Sequence, residues 1–297
     1  MTTVALHHTE FGPTGGLAVL ALHGWTPDHR LMTGCLEPVF AARSHAYRRL
    51  YPDLPGMGAT PADAVASSDD MLDSVEAYVD EHVGNAPLLV IGESYGGYLA
   101  RAITRRRRCQ VVGLALICPI GAAVLNADRD VPPHTVLVRD PALGDLRGSD
   151  FDDVAVVQTH ETYRRTQDEV VVGLEIADQS ALARIRQHWV LADDPEDAEP
   201  VIVPTAIMTG RQDASTGYRD TWSLLEHYPR ASFTVLDRAG HNLQIEQPGL
   251  FAAITADWLD RIEESFATPS EPDARSSGLS GDRGTAIARS PTRPGVP

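Results

Sequence analysis

The chain has 297 residues, 43% of them hydrophobic, and 25 basic against 41 acidic side chains leave it a net charge of −16. That length and apolar content suit one α/β core with room for an insertion, and the acidic balance excludes a surface that tracks nucleic-acid phosphates or docks on an anionic membrane. All 25 of the Lys and Arg class are arginine, so chemistry that needs a lysine amine, such as Schiff bases or pyridoxal phosphate attachment, is excluded too.

Cys35, Cys109 and Cys118 are odd in number and far apart, which fits neither a disulfide framework nor a zinc site. The N-terminus lacks the basic start and apolar core of a secretory signal. The uncharged stretch at residues 111–125 is broken by Pro119 and too short to span a bilayer. These features predict a soluble, cytoplasmic protein with no membrane insertion.

In chain order, residues 4–9 alternate weakly and residues 17–22 are continuously apolar, with a Gly-Pro-Thr-Gly-Gly turn between them. The pattern predicts two strands in a hairpin or near-hairpin. The second strand runs into His23-Gly24-Trp25, and Asp28 can cap a helix over residues 30–43. A short strand at 46–51 leads into Pro52-Asp53-Leu54-Pro55-Gly56-Met57-Gly58, where Asp53 reads as a turn-former accepting backbone N–H groups rather than a catalytic acid. A helix follows at 69–83, with Met71, Val75, Tyr78 and Val79 on one face.

Residues 88–91 have the character of a buried parallel strand, and helical spacing begins at Tyr95. Between them lies Gly92-Glu93-Ser94-Tyr95-Gly96, the pattern of a nucleophile elbow: small residues flank a strained turn so that the serine hydroxyl projects from the sheet edge. Four arginines, Arg105 to Arg108, close that helix and suit its C-terminal dipole. Another apolar strand spans 111–118.

From residue 120 to 200 the chain turns polar and acidic, with 17 Asp and Glu against 7 Arg and helix-like stretches at 154–167 and 178–190. An insertion between two buried strands reads as a cap over the strand ends, in which His160 and Trp189 are candidate pocket residues. Strand 201–208, Arg211-Gln212-Asp213, a helix at 218–228, strand 232–236, Gly240-His241 and a helix at 248–264 complete the pattern. Strands alternating with helices predict an α/β fold, a mainly parallel sheet with helices on both faces. The expected organisation is a core of residues 1–119 and 201–266, a largely helical cap at 120–200 and a disordered tail at 267–297, where 14 of 31 residues are Gly, Pro or Ser.

Ser94, Asp213 and His241 each follow a strand, and in an open parallel sheet such positions converge on one crevice. A serine hydroxyl needs an imidazole to take its proton, and the imidazole needs a carboxylate to fix its tautomer. The order Ser, Asp, His is that of α/β-hydrolases. With His23-Gly24-Trp25, Asp53-Leu54-Pro55-Gly56-x-Gly58 and Gly240-His241 in place, residues 4–265 resemble the capped α/β-hydrolase superfamily.

The resemblance implies Ser94 as nucleophile, His241 as general base and then acid, Asp213 as its orienting carboxylate, and the backbone N–H groups of Trp25 and Tyr95 as the oxyanion hole. It implies no metal and no cofactor. Serine at the elbow argues against haloalkane dehalogenases and epoxide hydrolases, which place aspartate there, and the lack of lysine argues against hydroxynitrile lyases. The expected activity is hydrolysis of a small, neutral carboxylic ester. Alternatives are a carbon–carbon bond hydrolase with the same triad, which would need a local cation for its substrate carboxylate that Arg164 and Arg165 could supply, and a receptor-like protein that only binds a small molecule.

Overall fold

The structure, a computed structural model, describes residues 3–144, 146, 148–197 and 199–267. Its strands and helices in chain order are β1 (His8–Phe11), β2 (Leu17–Leu22), α1 (His29–Ala41), β3 (Tyr47–Pro52), α2 (Ser68–His82), β4 (Leu88–Glu93), α3 (Ser94–Arg106) and β5 (Val111–Ile117). The inserted segment then carries β6 (Val138–Arg139), α4 (Ser149–Asp152), β7 (Val157–Gln158), α5 (His160–Thr166), α6 (Val172–Ile176) and α7 (Gln179–Arg186). Closing the chain are β8 (Thr205–Gly210), α8 (Arg219–Trp222), β9 (Ala231–Leu236), α9 (Leu243–Glu246) and α10 (Pro248–Ala267).

Seven strands form one sheet in the order β1-β3-β2-β4-β5-β8-β9, parallel except for β1. The expected hairpin of the first two strands does not form. β1 pairs antiparallel with β3, Thr9 opposite Tyr51, while β2 runs parallel between β3 and β4. The reason is burial: β2 is apolar along its whole length and is covered on both faces, whereas the polar β1 takes the half-exposed edge.

Side chains alternate across the sheet and supply two apolar layers. Leu20, Leu22, Val90, Leu114 and Ile207 pack toward α2 and α3 on one face. Val19, Ala21, Leu89, Ile91 and Met208 pack toward α1 and α10 on the other. Helix starts follow local chemistry: the Asp28 carboxylate accepts the Arg30 N–H, and Ser67 accepts the Asp70 N–H at the head of α2.

The inserted segment departs from its expected helices. The stretch read as one helix at 154–167 holds a loop, the two-residue β7 and α5, and the helical path continues through a π-helical turn at Gln167–Val171 into α6. The second expected helix ends at Arg186 rather than 190. Around α4 to α6 the buried apolar clusters are small, so periodicity is a weak guide there, whereas Leu182 and Ile185 of α7 join the core on the α2 and α3 face. The helix expected at 218–228 is α8 followed by a 3₁₀ turn, Ser223–His227. Apart from Ala267, which ends α10, the disordered tail expected at 267–297 lies outside the described residues. Among the described residues no helix is long and apolar enough to cross a membrane. Cys35, Cys109 and Cys118 are all free thiols, the first and last buried.

Candidate active site

β4 ends in Glu93, and the chain turns at Ser94, whose φ of 53° lies in the left-handed region that side chains rarely adopt. Such strain persists only where surrounding packing enforces it. Here α3 presses on the end of β2: a Cβ at Gly96 would stand 2.4 Å from the carbonyl oxygens of Leu22 and His23. Glycine at 96 therefore sets how closely the serine turn approaches the His23-Gly24-Trp25 segment. The Tyr95 amide sits in the first turn of α3, where no intrahelical acceptor exists.

Ser94 follows β4, Asp213 β8 and His241 β9, strands of one sheet with only β5 between the first two, so their ends bring the three side chains together. His241 Nε2 is 3.0 Å from Ser94 Oγ, and His241 Nδ1 is 3.0 Å from Asp213 Oδ2. Asp213 is fully buried, and its oxygens also accept the Ser215 amide at 2.8 Å, the Thr216 amide at 3.1 Å and the Thr216 hydroxyl at 2.7 Å. Burial opposes its charge, but His241 and the Thr216 donors hold its carboxyl below the usual range.

A second carboxylate touches the same imidazole. Glu93, 2% exposed, places Oε1 3.5 Å from His241 Nε2 and accepts the Gly24 amide. A Cβ at Gly24 would lie 2.2 Å from Glu93 Oε2, so glycine there makes room for this carboxylate. Burial and the nearby Asp213 charge raise the Glu93 carboxyl, against the pull of His241. Burial disfavours the His241 cation, yet Asp213 and Glu93 outweigh it and raise the imidazole above its ordinary value.

The surrounding loops are fastened by buried polar groups. His23 bridges its own loop to the next: its Nδ1 lies 2.8 Å from the Gly24 carbonyl, and its Nε2 accepts the Leu54 amide at 3.0 Å. Burial lowers its basicity, which keeps it neutral in this role. Asp53 is fully buried and accepts the His29 and Ala59 amides at 3.0 Å, with His29 Nδ1 at 2.8 Å and His7 Nδ1 at 3.0 Å. It lies in the turn, as its surroundings in the sequence suggest, and not beside Ser94. Glu246 accepts the Gly240 amide beside His241 and the Val156 and Val157 amides of the inserted segment, tying the two together.

Above Ser94 lies a cavity of about 150 Å³. Gly24, Trp25, Glu93, Ser94, Ser215 and His241 form its polar side, and Leu31, Val154, Val170 and Leu174 its apolar wall. Two expected pocket residues are placed elsewhere. His160 heads α5, and its Nε2 lies 2.7 Å from the Ala142 carbonyl. Trp189 stacks on the Tyr95 ring at 4.6 Å and meets Trp25 edge-on at 4.7 Å, with its indole N–H on the Val124 carbonyl. It braces the ring of Trp25 without reaching the cavity. Arg164 is exposed between Glu161 and Asp168, and Arg165 is bound by both oxygens of Glu169.

Sequence reasoning passed over Glu93, Asp150 and Glu246. A charged residue at the end of an otherwise apolar strand was the available signal for Glu93; nothing local marks the other two. Among the described residues two groups place metal-ligating atoms within 4.8 Å of one another, His7 with His29 and Asp53, and Cys118 with Asp213 and His241. In each the carboxylate oxygens are already engaged by the histidines.

This fold, with a serine, an imidazole and a buried carboxylate in line at its strand ends, defines an α/β-hydrolase. Residues 19–254 match the model of the alpha/beta hydrolase family, and the chain belongs to it. It is 33% identical over 130 residues to the lipase LipV of Mycobacterium tuberculosis, a match spanning 42% of this chain and 45% of that one. Over 278 residues, 88% of this chain and 92% of the other, it is 27% identical to a 2-hydroxy-6-oxononadienedioate/2-hydroxy-6-oxononatrienedioate hydrolase of Burkholderia vietnamiensis. The fold is also that of an alpha/beta superfamily hydrolase from Oenococcus oeni, with a TM-score of 0.78 at 24% identity, covering 89% of this chain and all of that one.

Proposed function

We propose that the protein is a serine hydrolase that cleaves small carboxylic esters, uncharged ones in preference to anionic ones, through an acyl-enzyme on Ser94. The observation that carries this is the unbroken line Ser94, His241, Asp213 at 3.0 Å spacings beneath the cavity. As Ser94 Oγ attacks the ester carbonyl, its proton passes to His241 Nε2, and Asp213 stabilises the resulting imidazolium. The Trp25 and Tyr95 amides take the developing oxyanion. His241 then protonates the leaving alkoxide, and a water deprotonated by the same nitrogen releases the acid. Residues 120–200 act as the cap; Asp150, Val154, Val170 and Leu174 of this segment line the cavity.

A second reading, carbon–carbon bond hydrolysis, is favoured by the length of the match to the Burkholderia enzyme, whose substrates by name are dicarboxylates. Against it, no arginine lines the cavity among the described residues, and Arg164 and Arg165 are both committed to carboxylates. Fluorophosphonate labelling located by mass spectrometry, beside turnover of a panel of p-nitrophenyl esters, tests the proposal. Label on Ser94 with ester turnover supports it; a labelled Ser94 with no ester turned over moves the assignment to the carbon–carbon reading.

A further inference from the structure

Two carboxylates stand in the cavity wall, and they differ in what holds them. Glu93 is engaged by the Gly24 amide and faces His241. Asp150 belongs to α4, a single turn anchored by Phe151, which is wholly buried with Leu143 and Ala155 and meets the Tyr163 ring edge-on at 5.2 Å. Nearby Asp152 is used within the turn, accepting the Gly148 amide. Asp150 instead lines the cavity, half-buried, and among the described residues no hydrogen bond or ion pair engages its carboxylate.

A partly buried carboxylate in the lining of a cavity that also holds Leu31, Val154, Val170 and Leu174, with no partner of its own, offers its charge to a cation that enters. No arginine of the described lining competes for that place. The inserted segment around it is itself acidic, 17 Asp and Glu against 7 Arg between residues 120 and 200. We infer that Asp150 is a specificity site for a substrate ammonium, and that the preferred substrates are small esters bearing an amine or quaternary ammonium group. This rests on the ester-hydrolase reading above. A neutral ester fills the apolar part of the cavity and leaves Asp150 unused. The volume suits one short cationic arm, since a cavity of about 150 Å³ holds a molecule the size of benzene.

The test compares kcat/KM within two pairs matched in shape: acetylcholine against 3,3-dimethylbutyl acetate, and ethyl 4-aminobutyrate against ethyl pentanoate. They place the charge on the alcohol and acyl sides respectively. In at least one pair the cationic ester should be faster by about tenfold, the size of one interaction with a charged group, and the excess should shrink as salt rises. Asp150→Asn should bring the ratio close to one, while Asp150→Glu keeps part of it. Tetramethylammonium should also slow fluorophosphonate labelling of the unaltered protein where tert-butanol does not, a measurement that needs no variant. The inference is overturned if neutral esters turn over with no cationic preference in either pair, or if a preference survives Asp150→Asn. Failure of every ester, with Ser94 still labelled, overturns the ester reading itself and this inference with it.

Discussion

Ser94, Asp213 and His241 stand on turns that leave β4, β8 and β9 of one buried sheet, whereas Asp150, Val154, Val170 and Leu174, which close the cavity from the other side, come from loops and short helical turns. The first group is held by buried hydrogen bonds: Asp213 takes three donors besides the imidazole, and the Ser94 turn is pressed against β2. The second group rests on small apolar clusters and on the clamp of Glu246. The side chains proposed for chemistry thus stand on the buried sheet, and those proposed to choose the substrate on loops and short turns, where sequence varies most freely.

That division predicts a steep difference between substitutions on the two sides. Ser94→Ala should lower kcat by about 10⁶ while leaving thermal unfolding nearly unchanged, with a residual rate of roughly 10³ over water from the oxyanion hole and binding. Asp213→Asn should cost about 10⁴ in kcat, because the amide no longer selects the right imidazole tautomer. Val154→Ala or Leu174→Ala, by contrast, should shift KM and the ranking of acyl lengths by about tenfold or less, the worth of a few methylenes in an apolar pocket. Steady-state kinetics on one ester series would decide. A loss from Leu174→Ala as large as that from Asp213→Asn would erase the distinction between the two regions.

The same asymmetry explains what could be read from the sequence. Strands β2, β4, β5 and β8 are short apolar runs bounded by turns, and the motif residues at strand ends announce themselves by position, so the meeting of Ser94, Asp213 and His241 and the order of the core elements were legible. The β1–β2 hairpin was misread because adjacency in the chain outweighed the buried character of β2. His160 and Trp189 were chosen as pocket residues by type alone, and the path of the insertion, which depends on a π-helical turn and on tertiary contacts such as Glu246 with Val157, decided otherwise. A cavity lined by residues as distant as Leu31 and Leu174 leaves no local periodic trace.

Charge sharpens the comparison next. With Glu93 and Asp150 in the cavity wall and no arginine of the described lining to oppose them, an ester bearing a free carboxylate should be turned over several-fold to about tenfold more slowly than its neutral counterpart. The gap should narrow with added salt, since the Debye length is about 8 Å at physiological ionic strength. Matched pairs such as p-nitrophenyl butyrate and the p-nitrophenyl half-ester of succinic acid give the measurement. Faster cleavage of the half-ester would point to a cation recruited from the insertion and would favour the dicarboxylate chemistry of the Burkholderia relative.

The smallest effect concerns the one acid that belongs to the strand side yet faces the cavity. Glu93 lies 3.5 Å from His241 Nε2, the nitrogen that accepts the serine proton in the proposed mechanism, and only a neutral imidazole can act as base. A negative neighbour stabilises the imidazolium, so with Asp213 and Glu93 both raising His241, kcat/KM should climb with pH through an apparent pKa above the ordinary histidine value and then level off. Glu93 is itself raised by burial, so its proton and that of His241 are gained and lost as a pair, and the acid limb belongs to both groups. Glu93→Gln keeps an oxygen for the Gly24 amide and removes the charge. The limb should then move down by about one pH unit, with the plateau altered far less than in Asp213→Asn. The variant would accordingly outperform the native enzyme on the acid side and not on the alkaline side. A profile unmoved by Glu93→Gln would mean that Asp213 alone sets the basicity of His241 and that Glu93 serves only to hold the Gly24 turn.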